Sequence, residues 1–98
     1  MAYEVILVSE AQQDIDDAIS WYEAQQLNLG IRFYFEILEC LKKIETHPQH
    51  YGYFQKDYRQ CLVKSFPYKI VFKTIMNSIV VLAVFHSGRS ADELHNRI

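Results

Sequence analysis

Residues 58–89 read YRQCLVKSFPYKIVFKTIMNSIVVLAVFHSGR. This segment contains three apolar runs, rich in β-branched and aromatic side chains, that are broken at residues 65–67 and 76–78. Short apolar runs between turn residues are typical of β-strands. Because both breaks are too short to contain a crossover helix, successive strands are expected to pair antiparallel. The segment therefore predicts a three-stranded antiparallel meander.

The last run, residues 79–85, is apolar at every position, which makes it the best candidate for the central strand of the sheet. The same segment carries five cationic side chains, namely Arg59, Lys64, Lys69, Lys73 and Arg89. We expect these cations to give the sheet an anion-binding face. The alternative is that they are solvated residues of an ordinary sheet surface.

The residues before the meander predict a strand and a helix. Residues 3–8 contain three β-branched side chains and form a candidate strand that pairs with the later sheet. Ser9 is a candidate N-cap for a helix that ends near Gln26, and four acidic residues follow it near the positive end of the helix dipole. The apolar positions that share one face of this helix are Ile15, Ala18, Ile19 and Tyr22.

A second helix is predicted between Asn28, a candidate cap, and Pro48, which prevents continuation. Its expected apolar stripe consists of Ile31, Tyr34, Phe35, Leu38 and Leu41, widened by Ile37, Cys40 and Ile44. Two helices joined by a short turn form an αα-hairpin. The apolar face of this hairpin is expected to pack on the sheet.

These elements together predict the α+β fold class in one domain covering residues 1–98. The expected order is an N-terminal strand, an αα-hairpin, an antiparallel meander of three strands packed on the helices, and a short C-terminal helical tail. Ser90 and Glu93 have the spacing of a capping box at the start of that tail. Residues 47–57 are predicted to be an irregular connector fixed by its aromatic side chains.

The charge of the chain is divided between its two halves. The net charge is −2, which argues against indiscriminate nucleic-acid binding. Residues 1–50 contain three basic and nine acidic side chains, whereas residues 51–98 contain seven basic and three acidic ones. An acidic helical half and a basic sheet half are compatible with an anion-binding surface and equally with two solvated faces.

Cys40 and Cys61 are the only cysteines, and neither belongs to a CxxC or a Cys/His metal-ligand spacing. We expect both to be buried thiols in a reducing cytoplasm, in preference to a disulfide or a metal site. The N-terminal apolar run is too short to span a membrane and lacks the basic start of a signal peptide. The sequence therefore predicts a cytoplasmic protein without a membrane partner or a cofactor.

No Walker loop, Rossmann glycine pattern, HExxH motif or nucleophile elbow is present in the sequence. The remaining chemical candidates are the sheet cations together with Tyr68, His86 and His95. Metal-free cleavage of RNA needs a base, an acid and cations that stabilise the charged phosphorane, and these residue types include all three. The structural alternatives are a hydrogen-bonded His86 at a strand end, a core Tyr68 and a salt-bridged Arg89.

The segment FPYKIVF, residues 66–72, is followed at residues 79–84 by an apolar strand that leads to His86-x-x-Arg89. With the preceding αα-hairpin, this pattern resembles the RelE/ParE superfamily of type II toxin–antitoxin toxins over nearly the whole chain. The pairing of FPYKIVF with AVFHSGR is most similar to the ParE-like branch, also called the plasmid stabilisation branch. The resemblance implies a small α+β toxin that is neutralised by a cognate antitoxin.

Members of the superfamily that resemble RelE cut mRNA in the ribosomal A site, whereas ParE-like members inhibit DNA gyrase. By position, Arg59, Lys69 and Arg89 match basic residues of the RelE-like toxins. Leu94 and His95 occupy the closing segment, where those toxins carry Tyr and ParE-like toxins carry Trp. If the chain is RelE-like, the resemblance implies that the catalytic candidates are Arg59, Lys69, His86, Arg89 and His95.

Three functional hypotheses follow from the resemblance. The preferred hypothesis is a ParE-like toxin that binds a protein target, with gyrase the expected one, because the chain is nearly neutral and lacks the C-terminal Tyr. The second is a ribosome-dependent mRNA endoribonuclease whose five catalytic candidates share one surface. The third is a degenerate homologue that only binds the antitoxin. The oligomeric state is not indicated by the sequence.

Overall fold

A computed structural model describes residues 3–88 and residue 97 of the chain. These residues form a sheet of five strands in the order β1-β5-β4-β3-β2, with two α-helices between the first and second strands of the sequence. The bounds are β1 Glu4–Leu7, α1 Ser9–Gln25, α2 Leu29–Thr46, a 3₁₀ turn at Pro48–His50, β2 Tyr53–Gln55, β3 Tyr58–Leu62, β4 Tyr68–Ile75 and β5 Ser78–His86. The predicted α+β architecture is confirmed. The expected helical tail lies outside the described residues.

The predicted meander consists of β3, β4 and β5, which pair antiparallel in sequence order. The N-terminal strand joins this sheet as predicted, and it pairs parallel with β5 in a register that aligns Glu4 with Ser78. Strand β5 therefore lies between two neighbours, as its two apolar faces require. The middle position belongs to β4, because the residues predicted to be an irregular connector contribute a fifth strand, β2, at the far edge.

Helix α1 packs on the sheet through Ala11, Ile15 and Ala18, which are buried on the predicted face. The helix begins at Ser9, and Val8 occupies the N-cap position without a side-chain cap. The expectation that Ser9 is the N-cap is therefore wrong, and its hydroxyl instead donates to Glu10 Oε1 at 3.2 Å. Val8 reaches the capping position because it extends β1 directly into the helix.

Helix α2 begins immediately after Asn28, as predicted, but the Asn28 side chain makes no capping hydrogen bond. The Glu23 carboxylate caps this end instead, because it accepts from the backbone N–H groups of Asn28 at 2.8 Å and Gly30 at 2.9 Å. Gly30 also permits close packing of the two helices. A Cβ atom at this position would lie 2.7 Å from the carbonyl oxygen of Ile19.

The core face of α2 differs from the predicted one. Phe33, Ile37, Cys40 and Ile44 are buried against the sheet, whereas Ile31, Tyr34, Phe35 and Leu38 are exposed. Both sets have helical spacing, so periodicity could not distinguish the face that meets the sheet from the face that meets solvent. Four of the five residues predicted to form the main stripe therefore point away from the sheet, and the fifth, Leu41, packs against the core between the helices and the sheet.

The sheet buries apolar side chains on both faces. The larger cluster lies between helices and sheet, where the Phe33 ring packs 5.2 Å from those of Tyr22 and Phe66, measured between centroids. A smaller cluster on the opposite face includes Val71, Ala83 and Phe85. Side chains alternate along a strand, so Val71 belongs to this outer face and its neighbours Ile70 and Phe72 to the helix-facing one. Among residues 3–88, neither helix combines the length and hydropathy needed to cross a bilayer.

Candidate functional site

Arg59 is held at the helix-facing side of the sheet, near β2. In the register of β3 and β4 it lies opposite Phe72, a residue of the larger cluster. Its guanidinium donates from Nη1 to the Tyr51 carbonyl at 2.6 Å and from Nη2 to the Tyr53 hydroxyl at 2.9 Å. The guanidinium carbon also lies 4.2 Å from the centroid of the Tyr53 ring. These contacts fix the orientation of the Arg59 side chain.

Lys69 lies on the outer face of the sheet, where it is opposite Leu62 of β3 and Phe85 of β5. It is only 7% exposed, and its Nζ lies 4.5 Å from the centroid of the Phe54 ring. A solvated Lys69 is therefore excluded, because an aromatic side chain covers it. Lys73 is on the same face, with its Nζ 5.3 Å from the centroid of the Tyr58 ring.

His86 ends β5 on the helix-facing side, opposite Tyr68 in the register, and the two rings pack edge to face with centroids 5.5 Å apart. Its Nδ1 accepts from the Gly88 backbone N–H at 3.2 Å, which leaves Nε2 as the protonated nitrogen of the neutral ring. His86 and Tyr68 line a cavity of about 550 Å³ between α1 and the sheet. Trp21 and Tyr22 contribute its aromatic wall.

The described site candidates do not share one surface. Arg59 and Lys69 lie on opposite faces, because Arg59 is in register with Phe72 whereas Lys69 is in register with Leu62 and side chains alternate along each strand. The expectation of a common surface is wrong for this pair. His86 is on the same side as Arg59 but at the other end of the sheet. Arg89 and His95 lie outside the described residues.

Asp14 is a site residue that sequence reasoning missed. Strand β1 pairs with β5 only as far as Val81, and beyond it the Val84 N–H donates to Asp14 Oδ2 at 2.9 Å. The Arg97 guanidinium donates to both Asp14 oxygens, at 2.6 and 2.9 Å, and lies 5.0 Å from the Phe85 ring centroid. The sequence signal was available, because Asp14 is three residues after Ala11 and four before Ala18, on the inward face of α1.

The outward face of α2 is a second candidate surface, on the αα-hairpin. Its four apolar side chains recur at helical spacing and are 40–57% exposed; this set, called the α2 stripe, consists of Ile31, Tyr34, Phe35 and Leu38. Contiguous exposed apolar residues on one helix face are typical of an interaction surface. The sequence indicated such a surface, because α2 contains more apolar residues than one buried helix face requires.

Cys40 on α2 and Cys61 on β3 are buried free thiols, as predicted. Their Sγ atoms lie 2.7 Å apart in the contact between the helical hairpin and the sheet. Within residues 3–88, no group of three His, Cys, Asp or Glu side chains has the arrangement of a metal site.

Comparison with known proteins identifies the family. Residues 5–91 match the family model described as the ParE toxin of the type II toxin–antitoxin system parDE. The chain belongs to this ParE toxin family. It is therefore a type II toxin–antitoxin toxin of the RelE/ParE superfamily. A search of characterised protein sequences gave no significant match.

Solved structures show the same fold in other members of the superfamily. A chain of the chromosomal ParDE toxin–antitoxin system of P. aeruginosa is 14% identical, with a TM-score of 0.75. The alignment covers 87% of this ParE-family chain and 96% of the P. aeruginosa chain. A mutant of the E. coli toxin RelE in the free state is 17% identical, with a TM-score of 0.70, and the alignment covers 99% of this chain and 94% of the RelE chain. A chain of the RelBE2 toxin–antitoxin complex of Mycobacterium tuberculosis is 14% identical, with a TM-score of 0.64, and the alignment covers 88% of this chain and 99% of the M. tuberculosis chain.

Proposed function

We propose that this ParE-family toxin arrests growth in the cytoplasm by binding a protein target, for which DNA gyrase is the candidate, and not by cutting RNA. The observation that carries the proposal is the separation of Arg59, Lys69 and His86. Arg59 and Lys69 occupy opposite faces of the sheet, and neither side chain extends freely into solvent.

General acid–base cleavage requires the acid, the base and the stabilising cation to reach one phosphate group. The β4 partners of Arg59 and His86 are Phe72 and Tyr68, which are four positions apart along the strand. At about 3.3 Å per residue the two backbone positions are about 13 Å apart along the strand direction. The Arg59 guanidinium is also held against Tyr51 and Tyr53, on the side of β3 away from β5, so it does not extend towards His86. Lys69 is on the other side of the sheet. These three residues alone do not form a nuclease centre.

The second part of the proposal is a cognate antitoxin that covers the α2 stripe. The stripe is apolar, lies on the outside of the helical hairpin and is not covered by the described residues of the sheet. A partner segment with apolar anchors at matching spacing would bury it, in the manner of a helix or extended peptide in a groove. Structural relatives from a ParDE toxin–antitoxin system and from a RelBE2 toxin–antitoxin complex support a protein partner of this kind.

A RelE-like endoribonuclease is the second candidate, because Lys69 and Lys73 share the outer face with the ring of Tyr58. The Lys73 ammonium group beside the Tyr58 phenol has the residue types for phosphate binding and proton transfer, and Lys69 lies four positions along the strand on the same face. The fold is also similar to that of RelE over most of the chain. On this reading Arg59 is a structural residue of the β2–β3 edge, and Lys69 is the residue whose loss abolishes cleavage.

The two candidates are separated by adding the purified chain to gyrase supercoiling reactions and to translating ribosomes programmed with a defined message. We expect loss of supercoiling and intact messages, with the Lys69→Met variant still arresting growth when expressed. The nuclease would be established instead if a micromolar excess of the chain left supercoiling unchanged and cut the messages, while the K69M variant left the messages intact. Absence of both effects and of growth arrest would indicate a homologue that only binds an antitoxin.

A further inference from the structure

The contact between α2 and β3 brings the chain's two thiols together. Cys40 Sγ and Cys61 Sγ lie 2.7 Å apart, and the two residues are 5% and 4% exposed. A disulfide needs its sulfur atoms at about 2.05 Å, so a bond requires them to approach by less than about 1 Å. One partner is on a helix and the other on a strand, and both elements are anchored in the larger core cluster.

A cavity leads to the two sulfur atoms. It has a volume of about 460 Å³ and is lined by both cysteines, by Tyr51 and by the exposed residues Lys43 and Lys64. A water molecule occupies about 30 Å³ of liquid, so a molecule as small as hydrogen peroxide fits this space easily. The two sulfur atoms are therefore reachable by small polar reagents through this space.

We infer that Cys40 and Cys61 form a site of reversible oxidation by hydroperoxides, in which the two thiols become a disulfide that fastens α2 to β3. The inference concerns a site on the helix-facing side of the sheet, opposite the face that carries Lys69, and it is independent of whether the toxin binds gyrase or cuts RNA.

The reaction balances with one molecule of hydrogen peroxide. The Cys61 thiolate attacks one peroxide oxygen, the O–O bond breaks, and the released hydroxide takes a proton and leaves as water, giving a sulfenic acid at Cys61. The Cys40 sulfur then attacks the Cys61 sulfur, the S–O bond breaks, and the departing hydroxyl leaves as a second water with the Cys40 proton. Two thiols are oxidised, and one peroxide is reduced to two waters.

The surroundings of the pair distinguish the two sulfurs. Hydrogen bonds from Cys40 and Tyr51, together with the charge of Lys43, lower the pKa of Cys61 despite the opposing effect of burial. The hydrogen bond to Cys61 and burial raise the pKa of Cys40. Cys61 is therefore the thiol that ionises first and reacts with peroxide, and Cys40 is the thiol that resolves the sulfenic acid.

The experiment treats the purified, reduced chain with hydrogen peroxide, removes the peroxide, alkylates the remaining thiols in urea and measures the intact mass and the peptides. We expect a loss of two hydrogen masses, no alkylation, and one linked pair of peptides containing Cys40 and Cys61, all reversed by dithiothreitol. The link closes a loop of residues 41–60, which is expected to raise the melting temperature by roughly 10 °C. In urea the same linkage should form at least about tenfold more slowly, because the native proximity is lost.

The order of the steps is tested with a sulfenic-acid trap such as dimedone. Cys40→Ser should accumulate a trapped adduct at Cys61, whereas Cys61→Ser should label Cys40 much more slowly. If either variant fails to fold, short peroxide pulses on the unsubstituted chain with the trap present give the same assignment. Two thiols that stay alkylatable after peroxide, linkage only between separate chains, or equal rates in native buffer and urea would each overturn the inference.

Discussion

The two faces of α2 carry similar side chains but have opposite roles. The inward face places Phe33 and Ile37 in the core at 0% and 1% exposure, whereas the α2 stripe leaves Phe35 57% exposed on the same helix. Burial of apolar area against the sheet stabilises the fold, and the same area on the other face stabilises nothing until a partner covers it. The position of the sheet, and not the apolar pattern, therefore decides which face of α2 is buried in the core.

The largest effect is expected from Phe33→Ala. The Phe33 ring contacts the rings of Tyr22, Phe66 and Tyr68, so its removal leaves a cavity among aromatic residues and should lower the free energy of unfolding by about 3–5 kcal/mol. The matched control is Phe35→Ala, two positions away, with an expected change within about 0.5 kcal/mol. Urea denaturation of both variants measures the difference. Equal losses would mean that the outward face is also part of the core.

The next effect is on binding and depends on the proposed antitoxin. Phe35→Asp places a charge in the α2 stripe and should weaken antitoxin binding by about 2 kcal/mol, roughly 30-fold in Kd, with little change in melting temperature. Met76→Asp is the control, because Met76 is 90% exposed in the β4–β5 turn and is not a residue of the α2 stripe. Titration calorimetry distinguishes the variants. Equal affinities of the two variants would indicate that the antitoxin binds another surface.

A smaller effect is expected where α2 meets α1. Gly30→Ala introduces a Cβ that would lie 2.7 Å from the Ile19 carbonyl oxygen, and backbone atoms cannot move aside as a side chain can. The strain costs about 1–3 kcal/mol, whereas the helix preference of Ala over Gly contributes about 1 kcal/mol in the other direction. We therefore expect the free energy of unfolding to fall by about 1 kcal/mol. Gly52→Ala meets no atom within 4 Å and should be neutral. A stabilised Gly30→Ala variant would show that the helices can separate.

The smallest effect is a difference in reactivity with no change in stability. Cys61 has a lowered pKa, so its thiolate forms at lower pH than that of an ordinary thiol, while the raised pKa of Cys40 delays its ionisation. Alkylation by iodoacetamide should therefore begin at Cys61 as pH rises, with a midpoint below that of an ordinary thiol. Peptide mass spectrometry at several pH values gives both rates. Faster alkylation at Cys40 would reverse the assignment.

Much of the fold follows from local patterns in the sequence. The apolar runs of the meander are separated by breaks too short for a helix, and Ile15 and Ala18 on α1 have a polar opposite face, so each pattern permits one arrangement. The two-sided pattern of α2 permits two arrangements, and only the tertiary contact selects between them. Strand β2 was also missed, since three residues of pairing leave too short a pattern to detect.

The candidate site was less predictable than the fold. Identifying Arg59 and Lys69 as cations on adjacent strands did not fix their faces, because a shift of one residue in register reverses the direction of every side chain. The observed register aligns Arg59 with Phe72 and Lys69 with Leu62, which separates the two charges. The burial of Lys69 under Phe54 also depends on β2, the strand that was not foreseen.

The parallel pairing of β1 with β5 has a consequence for the nascent toxin. The first strand leaves the ribosome early, but its partner follows only after both helices and three other strands have been made. Until then β1 has no neighbour in the sheet and the larger core lacks Ile79, Val81 and Val84. A translation product interrupted before β5 therefore lacks a central part of the sheet and of the core, so the complete fold forms only after β5 has been made.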